Sequence, residues 1–106
     1  MSLDELYNGL KGLGLPVTYN EWEVGKVPDL PYIVYYESGK NVFYANNKPY
    51  FYRKVITVEL YTDYKDVKTE SLLEAFFYAQ NITLSSVDET FWTDEHLYEV
   101  SYEFEI

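Results

Sequence analysis

Cysteine is absent from this chain of 106 residues, so neither a disulfide framework nor a thiolate metal site can form. Histidine occurs once, at His96, which leaves no second imidazole to complete a metal centre. Basic residues are scarce: 8 Lys and Arg stand against 18 Asp and Glu, for a formal net charge of -10. Capture of a nucleic-acid backbone or an anionic membrane surface needs cationic patches, so neither sequence-specific nucleic-acid binding nor membrane association is expected. Long apolar runs are missing too. The opening Met1-Ser2-Leu3-Asp4-Glu5 has no basic n-region, and we expect neither a signal peptide nor a membrane span, with synthesis in the cytoplasm. On that expectation the sequon at Asn81-Ile82-Thr83 carries no weight.

What is present is enough for one folded domain spanning residues 1–106. The composition is 47% hydrophobic and 25% charged, far from the signature of disorder. Aromatic residues make up 20% of the chain, with 13 tyrosines among them. Tyrosine suits half-buried strands, and it also suits protein interfaces, where its two torsions cost little to freeze. Both readings stay open at this level.

Periodicity supplies the elements. Leu3, Leu6, Tyr7, Leu10 and Leu13 recur at helical spacing behind an S-x-x-E capping box at Ser2 and Glu5, predicting a helix over residues 2–13 stopped by Gly12, Gly14 and Pro16. A short strand is expected at 17–19 and a loop at 20–30, with Trp22 as its anchor. A strand covers 32–37 and runs into Ser38-Gly39-Lys40-Asn41, read as a hairpin turn. A brief run at 42–44 precedes a second turn at Asn46-Asn47-Lys48-Pro49. Residues 50–61 form the longest strand candidate, with Ile56, Val58 and Leu60 on a purely apolar face. A second helix is expected over 67–79, its core stripe being Leu72, Leu73, Phe76 and Phe77. Two strands, near 82–92 and 97–106, finish the chain. The order α-β-β-β-α-β-β predicts an α+β fold: a largely antiparallel sheet of four to five strands with two helices packed on one face.

No residue pattern points to chemistry. His96 sits at a tight connection, and none of Ser38, Ser85, Ser86 or Ser101 lies in a nucleophile-elbow context that would pair with it. Ser38-Gly39-Lys40-Asn41 lacks the upstream glycine and trailing hydroxyl of a phosphate loop. The acids Asp63, Asp66, Asp88, Glu89, Asp94 and Glu95 lack the spacing of a calcium loop. We therefore assign no catalytic residue, no cofactor-binding residue and no metal ligand, and expect no cofactor. Seven carboxylates and no base lie between residues 88 and 106. Glu99, Glu103 and Glu105 share one face of the last strand, which is tolerable if that face is wet, paired with Arg53 or Lys54, or opposed by a basic partner; it would equally suit the wall of a channel that must not capture DNA. The segments 20–30 and 42–50, with Trp22, Phe43, Tyr44 and Tyr50, are the candidate contact surfaces.

The order of several motifs resembles a known family. An amphipathic helix, a Leu-Gly-Leu-Pro-Val turn, Pro-Tyr-Ile-Val-Tyr-Tyr at 31–36, Val-Glu-Leu-Tyr-Thr at 58–62, a Lys-Asp run with a helix, and Leu-Tyr-Glu-Val-Ser-Tyr-Glu-Phe-Glu-Ile at 97–106 occur in sequence. Together they resemble small structural proteins of the head-tail gene cluster of long-tailed phages and prophages of Gram-positive bacteria, akin to tail-completion or tail-terminator proteins. The likeness spans residues 6–106. It implies a non-enzymatic virion component, assembled in the bacterial cytoplasm as a homo-oligomeric ring, commonly of six copies. Such a ring would cap the tail tube and dock to the neck or connector. The alternative from another class is an acidic host-directed inhibitor that mimics DNA or captures a basic protein.

Overall fold

In the computed structural model the backbone is described for residues 1–45 and 48–106, and side chains for 1–44 and 51–106. The chain runs α1 (Leu3–Lys11), β1 (Val17–Tyr19), β2 (Tyr32–Ala45), β3 (Lys48–Thr62), α2 (Val67–Ala79), β4 (Leu84–Trp92) and β5 (Leu97–Glu105). The five strands form one sheet in the order β1-β2-β3-β5-β4, parallel only between β1 and β2. The fold is α+β with the expected order of elements.

Local chemistry explains the helix boundaries. The Ser2 hydroxyl accepts from the Glu5 N–H at 3.1 Å while the Glu5 carboxylate accepts from the Ser2 N–H at 3.2 Å, so two otherwise orphaned donors are satisfied reciprocally. Just past the end of α1, Gly14 takes φ +87°, a conformation a side chain would oppose. At the head of α2 the Asp66 carboxylate accepts from the Thr69 N–H at 3.1 Å and from its hydroxyl at 2.7 Å. Those bonds hold the Asp66 carboxyl below its ordinary range. Loss of such a cap costs about 1 kcal/mol. Asp66→Ala should lower stability to urea by that amount at neutral pH, and the deficit should shrink as acid protonates the wild-type carboxylate.

Both helices lie on one face. Leu6 and Leu10 of α1 and Leu73 and Phe77 of α2 are fully or almost fully buried against Ile33, Tyr35, Ile56, Val58, Leu60, Val100, Tyr102 and Phe104. Phe77 sits at the centre, its ring centroid 5.3 Å from Tyr102 and 5.2 Å from Phe104. Gly9 lets the helices approach: a Cβ there would fall 2.4 Å from the Phe76 ring. One expected stripe residue is corrected, since Leu72 is exposed at 46%. It lies one position away from Leu73, a rotation of about 100° that takes it off the core-facing side.

A larger correction concerns Ser38-Gly39-Lys40-Asn41, which is no turn. Pairing with β3 continues through it, with Gly39 opposite Val55, Lys40 opposite Lys54 and Asn41 opposite Arg53, and a register shift between Glu37 and Gly39 absorbs the extra residue. Turn-type residues here mark a β-bulge, which spares one unpaired position and twists the ribbon. The brief run at 42–44 is therefore the outer part of β2. Of the second expected turn, Asn46 and Asn47 lie outside the described residues, while Ala45 pairs with Lys48 across them.

Candidate functional site

Strands β2 and β3 outrun the rest of the sheet. Strand β5 makes its last ladder pair at Glu105 with Val55, and Ile106 then exchanges backbone hydrogen bonds with Lys54 at 2.9 and 3.1 Å. Beyond that point residues 40–45 and 48–53 continue as a two-stranded arm of about 20 Å, at roughly 3.3 Å per residue. The arm explains the dimensions of 52 × 30 × 23 Å and a radius of gyration of 15.3 Å, against about 13 Å for a compact chain of this length. An isolated two-stranded ribbon is marginally stable in water, so its side chains decide what it is for.

Those side chains are apolar and exposed. Phe43 and Phe51 stack across the arm with centroids 5.1 Å apart, and Val42, Tyr44 and Tyr52 also present apolar surface, Tyr44 at 81% exposure. The Lys40 ammonium lies 5.2 Å from the centre of the Tyr52 ring. Of the sequence-derived contact residues, Phe43 and Tyr44 thus sit on the arm. The Tyr50 side chain lies outside the described residues. Trp22 is placed elsewhere: half-buried in the loop after β1, it meets Tyr32 edge-on at 5.7 Å, with its indole N–H buried and unpaired. Phe51 and Tyr52 were not singled out by sequence, although they follow Tyr50 in the same aromatic run.

The second surface is the sheet face that neither helix covers. Register puts Thr57, Glu59 and Tyr61 of β3, Glu99, Ser101 and Glu103 of β5, and Asp88 of β4 on this open side. Glu105 belongs to it as well, and its carboxylate accepts from the Asn41 amide at the foot of the arm. Of the three arrangements open to Glu99, Glu103 and Glu105, pairing with Arg53 or Lys54 does not occur: among the described residues, neither base forms an ion pair, and Asp88, Glu99, Glu103 and Glu105 have no cationic partner.

Instead Glu59 and Glu99, brought together diagonally by the register, share a tyrosine cage. Tyr61 donates to Glu59 at 3.1 Å and contacts Glu99 at 3.4 Å, Tyr36 donates to Glu59 at 3.2 Å, and the Trp92 indole donates to Glu99 at 3.4 Å. Burial and then repulsion from Glu99 raise the Glu59 carboxyl above its ordinary 4.5, despite the tyrosine hydrogen bonds that oppose the shift. Burial and the same carboxylates push the Tyr61 phenol up. A folded-state value above the unfolded one means that the folded protein holds a proton the unfolded chain would release. The stabilisation from this group is therefore complete below the unfolded value and is lost as pH rises through the folded one. Glu59→Gln removes the charge and keeps an acceptor for the tyrosines. It should raise stability at neutral pH, where burial and Glu99 oppose the Glu59 charge, and change it little in acid, as urea titrations at the two pH values would read.

Elsewhere, His96 occupies the turn between β4 and β5 at φ +49°, edge-on to Phe91 at 5.8 Å. A cleft of about 420 Å³ at the foot of the arm is lined by Arg53, Asn81, Thr83, Ser85 and Glu105 among others. Among the described residues no cluster of three His, Cys, Asp or Glu is placed to hold a metal, and no helix is long and apolar enough to cross a membrane. No protein-family model matches the chain, and no curated protein matches it.

Proposed function

We propose that this chain is a non-enzymatic structural protein of a phage or prophage virion, acting at the head-tail junction by ring-type self-association and by docking to the tail tube or connector. The observation that carries a contact role is the arm: five large apolar side chains, Val42, Phe43, Tyr44, Phe51 and Tyr52, are held out from the domain where they contribute nothing to its core. Exposed apolar groups gathered on one projecting element mark an interaction site rather than random surface. The resemblance in motif order supplies the setting, tail completion or termination. The acidic open face is compatible with a lumen through which DNA passes, since like charge repels capture.

The test is co-sedimentation with the tail-tube protein encoded in the same gene cluster, alongside a mass measurement over a concentration series. Association with the tube and a mass above that of one chain are expected. A species that stays monomeric and ignores the tube would overturn the reading. The uncompensated carboxylates favour one rival, an acidic module that captures a basic host protein. Tight, salt-sensitive binding to a host protein with no affinity for the tube would decide for it.

A further inference from the structure

The charge of this chain is segregated along the molecule. Four of the eight basic residues, Lys40, Lys48, Arg53 and Lys54, and none of the eighteen acids lie between residues 39 and 55, so the arm and its foot carry +4 while the remainder carries -14 of a total of -10. The opposite extreme is the stretch from Asp88 to the C-terminal residue, with seven carboxylates and no base. Of those seven, only Glu89 has a cationic partner among the described residues, Lys65. A basic, aromatic arm and an uncompensated acidic face are thus present on the same molecule.

We infer that the arm of one copy docks on the open β5-β4 face of the next, with Arg53, which shares the side of Thr57 and Glu59 on β3, opposite Glu103, Asp88 and their neighbours and with the stacked Phe43 and Phe51 of that same side covering the sheet. The occupant is a second copy of this chain because the arm projects away from its own acceptor. It leaves the sheet at the Val55–Glu105 end and runs outward, whereas the acidic face runs the other way, from Glu103 opposite Thr57 to Glu99 opposite Tyr61, six residues or about 20 Å back along β5 from Glu105. An arm pointing away from its own face can satisfy that face only on a neighbour. The outer edge of β4 is unpaired as well, since β4 is last in the sheet order. It would leave room for the arm to lie alongside without disturbing the ladder. Such a contact joins two different surfaces, so it propagates head to tail and closes into a ring when the rotation per copy permits. Opposite charges set the register of that contact and suppress arm-to-arm and face-to-face pairing, which would bring like charges together.

This inference rests on the self-association in the reading above, and the experiment separates the two. One variant carries Arg53→Glu, a second carries Asp88→Lys with Glu103→Lys, and circular dichroism checks that both fold. Sedimentation of the wild type should show association that weakens at high salt. Each variant alone should associate at least about tenfold more weakly, and an equimolar mixture should recover association because reversed arm meets reversed face. Wild-type-like association of either variant, or a mixture that recovers nothing, would overturn the arm-to-face contact while leaving self-association standing. A wild type that never associates would overturn both. Should the arm variant misfold, the salt response of the wild type and the face variant still decide the matter: association indifferent to both contradicts the inference.

Discussion

Phe77→Ala should destabilise the protein by about 3 to 5 kcal/mol, the cost of emptying a core site of an aromatic side chain. The ring is 1% exposed and touches Tyr102 and Phe104 of β5 from the middle of α2. It therefore fixes the helix layer to the strand that pairs with both β3 and β4. Relaxation can recover little, because Phe76 on the same helix is already wedged over Gly9 of α1. Native domains are stable by only about 5 to 15 kcal/mol, so this single change should remove a large share of the total and lower the urea midpoint in proportion. A loss under about 1 kcal/mol would mean that α2 is not seated as described.

The second large effect should leave the fold alone. Phe43→Ser with Phe51→Ser removes the stacked pair at the centre of the arm, where both rings are already substantially exposed. The stack is worth about 0.5 to 1.5 kcal/mol, and that energy is confined to a ribbon outside the core. Global stability should change by about 1 kcal/mol or less. Self-association, in contrast, should weaken roughly thirtyfold or more, since buried aromatic anchors at interfaces are worth about 2 kcal/mol or above. The two variants make opposite pairs of predictions: Phe77→Ala loses stability first, and the arm variant loses contact while keeping the fold. Equal loss of stability in both would contradict the division of the chain into a core that folds and an arm that docks.

Much of the core was legible in the sequence because its causes are local. Ser2 and Glu5 announce a capping box, the alternation of Ile56, Val58 and Leu60 gives the inner face of β3, and the apolar spacing around Leu73 and Phe77 gives α2 the boundaries it has. Failures came where tertiary pairing overrides local chemistry. Ser38-Gly39-Lys40-Asn41 has turn composition, yet a partner strand continues opposite it and turns the same residues into a bulge. The arm could not be read at all, because it exists only where β5 stops while β2 and β3 go on. The candidate contact residues Phe43 and Tyr44 were found by their exposed-type aromaticity, without any sign that they would project.

The acidic face was half legible. Period-two spacing places Glu99, Glu103 and Glu105 on one side of β5, but the partner that matters most, Glu59, lies forty residues earlier and meets Glu99 only through the β3-β5 register. The sequence also held the four bases and no acids of residues 39–55 in plain view. That imbalance acquires meaning only once residues 40–45 and 48–53 are seen to run past the end of β5.

The most direct test of the account is the solution mass of the unmodified protein by sedimentation over a rising concentration series in low salt. A body that folds by its core and binds its neighbours by a basic arm on an acidic face should pass from 12.6 kDa to a discrete higher multiple of that mass. A mass that stays at 12.6 kDa to the highest attainable concentration would contradict it.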